Sequence, residues 1–137
     1  MDDAVGRRQH PTMLAALNIG AVILGAASGG LTASLMALLL SGILTAVGLD
    51  SGSDIGLVIG VLIGLGVGGW VAGAKARHSA RFHGAVTGLA LAFLMMVIAV
   101  LGGSPASTLT ILWLALLSIL ISGLAGWLAG RRKTRST

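Results

Sequence analysis

The chain alternates long uncharged runs with short clusters of charge, and the run lengths predict its elements. Twenty uncharged residues, Ile55 to Ala74, separate Asp54 from Lys75. That matches the roughly 20 apolar residues an α-helix needs to cross a hydrocarbon core about 30 Å thick. Forty-nine lie between Arg81 and Arg131, interrupted midway by Gly102-Gly103-Ser104-Pro105, a turn signal. This run predicts two crossings, about Phe82 to Leu101 and Thr108 to Gly130. Thirty-nine lie between His10 and Asp50, about 58 Å as one helix at 1.5 Å per residue. That is too long for one span and too short for two with a loop. It predicts one tilted or protruding crossing, Ile19 to Leu49, with Pro11 to Asn18 as an interfacial lead-in that starts at a helix-favouring proline. The expectation is an all-α, four-helix transmembrane bundle forming a single membrane domain over residues 1–137.

The polar residues between the runs set the expected orientation. With four crossings, Arg7 and Arg8, then Lys75, Arg77 and Arg81, then Arg131, Arg132, Lys133 and Arg135 all fall on one side, and the opposite loops hold no Lys or Arg. The positive-inside rule makes that side cytoplasmic, with both termini inside. A three- or five-crossing scheme would divide the charges between the two sides. Asp50 and Asp54 mark the outer loop. The same nine basic residues are expected to contact lipid headgroups, anionic ones included. Trp70 and Trp127 fall near the cytoplasmic ends of helices two and four and Trp113 near the outer end of helix four, where indole rings anchor a helix at the interface.

Small residues recur within the apolar runs. Helix two carries Gly52, Gly56, Gly60, Gly64 and Gly68, then Ala72 and Ala76, in unbroken steps of four. Helix one has Ala21, Gly25, Gly29, Ala33, Ala37, Ser41 and Thr45 at that spacing; helix three has Ala80, Gly84, Gly88 and Ala92; helix four has Ser118, Ser122, Gly126 and Gly130. In lipid no hydrophobic force draws helices together, so association depends on close van der Waals approach, which such rows permit. They are expected to pack within the bundle, and one of them, on helix two, is also a candidate seat for a partner protein or a second copy.

The chain also reads as a hairpin repeated twice. Gly69-Trp70-Val71-Ala72-Gly73 parallels Gly126-Trp127-Leu128-Ala129-Gly130 at an offset of 57, and Gly25-Ala26-Ala27-Ser28-Gly29 parallels Gly84-Ala85-Val86-Thr87-Gly88 at 59. Each copy starts and ends inside, so the two are parallel repeats about an axis along the membrane normal.

Composition narrows the function. At 9% charged residues, 55% hydrophobic residues and 22 glycines, with mean hydropathy +0.99, the chain departs from water-soluble domains, which run near 25% charged. No stretch outside the apolar runs is long enough for a soluble catalytic domain. The absence of cysteine removes disulfides and thiolate sites and leaves the redox compartment open. A pI near 11.6 would suggest nucleic acid for a soluble chain; here the basic residues flank membrane spans, and no nucleic-acid partner is expected. The apolar run after Met1–His10 is too long for a signal-peptide core, so no cleavage is expected.

Candidate chemistry is sparse. No Asp, Glu, Lys or Arg lies at membrane depth, whereas coupled transporters keep such a group as a relay. No catalytic set, metal spacing or phosphate-binding loop appears among the polar residues, so an enzyme, a metal site and a cofactor are not expected. His83 at the start of helix three could ligate haem iron or a chlorophyll magnesium. A bis-His site would need a second histidine facing it, and none exists, so His83 is expected to hydrogen-bond a neighbouring helix end or a headgroup.

Gly68-Gly69-Trp70-Val71-Ala72-Gly73, a short basic loop, and His83-Gly84-Ala85-Val86-Thr87-Gly88-Leu89 together resemble the signature of small bacterial four-helix membrane proteins of no established activity. In these a Gly-Gly-x-x-Ala-Gly helix end precedes a His-Gly-x-x-x-Gly-Leu helix start. The resemblance implies a bacterial plasma-membrane protein and gives His83 a place in the motif; the apolar lead-in before helix one departs from it. The expected role is non-enzymatic: an accessory or structural subunit of a larger membrane complex, or a self-associating unit. The alternative is a small oligomeric channel with glycine-lined helix two facing the pore.

Overall fold

The computed structural model describes residues 18–76, 79–101, 103 and 107–133. They form four helices, α1 (Ile19–Ala46), α2 (Gly52–Lys75), α3 (Ala80–Leu101) and α4 (Thr108–Lys133), with no strand among the described residues. Each is apolar enough to cross a membrane. The shortest, α3, has 22 residues, about 33 Å at 1.5 Å per residue. The chain is a multi-pass, four-helix membrane protein. The lead-in before Asn18 lies outside the described residues, as do Arg7, Arg8, Arg77 and Arg135.

Local chemistry moves the helix ends from their expected positions. α1 stops at Ala46 rather than Leu49 because Gly48 adopts φ +87. The Gly48 N–H donates to the Thr45 carbonyl at 3.0 Å and the Leu49 N–H to the Leu44 carbonyl at 3.1 Å, the paired bonds of a Schellman motif. α2 starts at Gly52 rather than Ile55, so Asp54 sits in its first turn and Lys75 in its last, each opposing the helix dipole. Asn18 and Ser107 cap α1 and α4: their side-chain oxygens accept from the Ala21 and Thr110 N–H groups, both at 3.2 Å. α3 begins two residues early, at Ala80. The Ser79 carbonyl there accepts from the Phe82 and His83 N–H groups. α4 runs on through the basic residues to Lys133.

The hairpins close for different distances. Up α2 and down α1 the small rows pair step for step: Gly56 against Ser41, Gly60 against Ala37, Gly64 against Ala33, Gly68 against Gly25 and Gly29. The seam continues to Gly52 against Leu44, so α1 and α2 stay together along their whole length. On α3 and α4 the pairing runs Ala80 with Gly126, Gly84 with Ser122 and Gly88 with Ser118. The next steps in that register bring Ala92 opposite Leu114 and Met96 opposite Thr110, and side chains of that size hold the helices apart. A groove of about 180 Å³ opens there, walled by residues that include Phe93, Met95, Met96, Ile111 and Leu114.

All four helices therefore pack together in only one half of the molecule, while in the other half the buried residues are those of the α1–α2 seam, Gly52, Gly56 and Gly60. No residue of α3 beyond Ala92 and none of α4 before Ser118 is buried among the described residues. Within the packed half α2 is central, lying against α1, α3 and α4, while α1 and α4 do not approach each other.

Candidate functional site

Every glycine of the four rows lies against another helix. A Cβ built at Gly25 or Gly29 would lie 2.7 Å from a carbonyl oxygen of α2, at Gly52 2.8 Å from the Leu44 backbone, at Gly126 2.6 Å from the Ala80 carbonyl and at Gly130 2.8 Å from the Ala80 Cβ. Those at Gly56, Gly60, Gly64, Gly68, Gly84 and Gly88 are as crowded, mostly by backbone. Gly42 and Gly66, which stand outside the rows, have nothing within 4 Å. Because the α2 row is covered by α1 of the same chain, it neither lines a lumen nor faces outward in this fold.

The sequence reading missed a second seam. Gly69 meets the Ser122 backbone and Gly73 meets Gly126, and this seam docks α4, with α3 on its other side, against α2. Gly69 and Gly73 are themselves four apart, one position beyond the main row, a signal available to inspection. Ser122 is fully buried, and its Oγ donates to the Leu65 carbonyl at 2.7 Å. Thr87 and Ser118, also buried, turn their hydroxyls back to carbonyls of their own helices, those of His83 and Leu114.

His83 is 2% exposed and binds a helix end. Its Nε2 accepts from the Asn18 N–H at 2.9 Å, and its Nδ1 lies 3.2 Å from the Ser79 carbonyl oxygen. A carbonyl accepts and an amide donates, so these partners assign the neutral Nδ1–H tautomer. A metal on Nε2 would have to displace the Asn18 amide. His83→Ala leaves that amide without its acceptor, a loss of about 1–3 kcal/mol, and is expected to speed amide hydrogen exchange in the first turn of α1. His83→Gln, which keeps an acceptor oxygen, should restore much of the protection; equal exchange in all three proteins would remove the anchoring role.

The described basic residues Lys75, Arg81, Arg131 and Arg132 gather at the end where α2 finishes and α3 begins. The Arg131 guanidinium carbon lies 3.9 Å and that of Arg81 5.5 Å from the Trp127 ring centroid, and that of Arg132 lies 4.9 Å from Trp70. Each such stack contributes about 0.5–1 kcal/mol when exposed. Lys75 is exposed at the same end, Lys133 ends α4, and Trp113 is 60% exposed at the far end. The Trp127–Arg131 pair is readable from its i, i+4 spacing, whereas the Trp70–Arg132 pair depends on how the hairpins dock. No cluster of metal-ligating side chains occurs among the described residues. No family model matches the chain, and neither does any curated protein or solved structure.

Proposed function

We propose that this chain is a non-enzymatic membrane protein that acts by helix packing, as an accessory subunit of a larger membrane complex or as a self-associating unit. The observation that carries the reading is that α3 and α4 pack on each other over only half their length, whereas the α1–α2 seam is complete. Their unpacked half opens the apolar groove walled by residues that include Phe93, Met95, Met96, Ile111 and Leu114, a surface that a further transmembrane helix would cover. The channel alternative loses its proposed lining, because α1 covers the glycine row of α2. The one-sided basic residues favour both termini in the cytoplasm, and the resemblance noted above favours a bacterial plasma membrane.

A photo-crosslinking residue at Met96 is expected to give one discrete adduct with a transmembrane polypeptide, a second copy included. The adducted chain should co-purify in fixed ratio in mild detergent. Ala115→Phe, which fills the groove away from the buried core, should abolish the adduct; adducts with lipid alone would reject the reading. The cysteine-free sequence lets topology be read without background: a cysteine at Ser79 should be labelled only from the cytoplasmic side and one at Ser51 only from outside.

A further inference from the structure

We propose that His83 is a pH-sensitive latch that ties the start of α1 to α3 only while its ring is neutral, so that acidification at this end of the bundle releases the first turn of α1. Two of the hydrogen bonds described above join one hairpin to the other: Ser122 Oγ to the Leu65 carbonyl, and the Asn18 N–H to His83 Nε2. Of these two, the second has a titratable acceptor.

The two ring nitrogens respond differently to a proton. In the neutral ring Nδ1–H donates to the Ser79 carbonyl at 3.2 Å, and Nε2 accepts from the Asn18 N–H at 2.9 Å. In the imidazolium both nitrogens are donors. The Ser79 bond, which is local to the start of α3, survives. At Nε2 a donor then faces a donor, and attraction becomes repulsion. The Asn18 side chain cannot step in without cost, because its Oδ1 already caps the Ala21 N–H at 3.2 Å; turning it to the ring would uncap α1. Nor do the surroundings supply a counter-ion. Among the described residues, the charged groups at this end are Lys75 on α2, Arg81 on α3, and Arg131, Arg132 and Lys133 on α4, all of them cations, while α1 carries no charge. The described carboxylates, Asp50 and Asp54, stand at the opposite end, by the start of α2. The latch is therefore closed above the pH at which the ring titrates and opens as the pH falls through it. Because α1 stays zipped to α2 from Gly25 to Leu44, the opening is confined to the start of α1.

The full-length protein carrying His10→Gln and His78→Gln, which leaves His83 as its one imidazole, is reconstituted in phosphatidylcholine nanodiscs. The ring is titrated by NMR between about pH 8 and pH 5, and amide hydrogen exchange is followed over the same range, each amide corrected for the intrinsic pH dependence of exchange. The first-turn amides of α1 are expected to exchange about tenfold faster once the ring is protonated, with the midpoint of the ring titration, while the mid-helix amides of α2 stay protected. In His83→Gln, whose acceptor does not titrate, first-turn exchange should be independent of pH. The coincidence of the two midpoints tests the latch without any substitution at position 83, so the inference does not depend on that variant folding. A ring that stays neutral throughout the range overturns the latch, as does unchanged first-turn protection across the ring titration or the same pH dependence in His83→Gln.

Discussion

Gly64→Leu is expected to part α1 from α2 and to destabilise the bundle by about 3 kcal/mol or more, the upper range for overpacking a filled interior. A Cβ at Gly64 would collide with the Ala33 side chain and the Gly29 carbonyl. Neither can yield as the tip of a long side chain would, because one is a β-carbon and the other is main chain. The whole α1–α2 seam depends on the two backbones lying this close, so relief requires the helices to separate and their van der Waals contacts to be lost along the row. Gly66→Leu, two residues away on the same helix, meets nothing within 4 Å and should change stability by less than about 1 kcal/mol. Unfolding in mixed micelles, followed by Trp fluorescence, measures both. Equal destabilisation by the two variants would mean that helix propensity or lipid solvation, and not the seam, sets the cost.

The bundle is legible in the sequence to the extent that membrane physics acts on single segments. The four crossings follow from where Asp54, Lys75, Arg81 and Arg131 interrupt the apolar runs, because each span must satisfy its backbone and avoid charge on its own. The small rows are legible for a related reason: a step of four keeps Gly56, Gly60 and Gly64 on one helix face. A row does not name the helix it will meet. That the α2 row takes α1, while Gly69 and Gly73 take α4, depends on how the hairpins dock, and neither seam carries that information alone. The end of the α3–α4 seam is likewise a property of pairs: Ala92 is small enough to continue it, but Leu114 opposite is not. His83 could be foreseen as an interfacial hydrogen-bonding group, while its partner, the Asn18 amide, is 65 residues away in sequence and is brought there by the fold.

Ser122→Leu is expected to undo the docking of one hairpin on the other while leaving each hairpin largely helical. Ser122 stands where three helices converge: its backbone crowds the positions that side chains at Gly69 on α2 and Gly84 on α3 would take, and its Cβ lies 2.8 Å from where one at Gly88 would be. Two effects separate in the variants. Ser122→Ala keeps the close approach and removes only the Oγ–H donation to Leu65, a hydrogen bond of the kind that contributes about 0.6 kcal/mol between membrane helices. Ser122→Leu adds bulk on a fully buried face with backbone on two sides, and should cost several times more, about 3 kcal/mol. The α1–α2 seam does not pass through Ser122, so the distance between spin labels on cysteines at Leu38 and Leu57, exposed residues of α1 and α2, should be unchanged in Ser122→Leu. That between labels at Leu57 and Leu128, exposed residues of α2 and α4, should lengthen or broaden only in Ser122→Leu and not in the parent background or Ser122→Ala. Change in both distances would show that the hairpins have no independent stability, and constancy of both would show that the bundle accommodates the leucine and that Ser122 is not the point on which the two hairpins join.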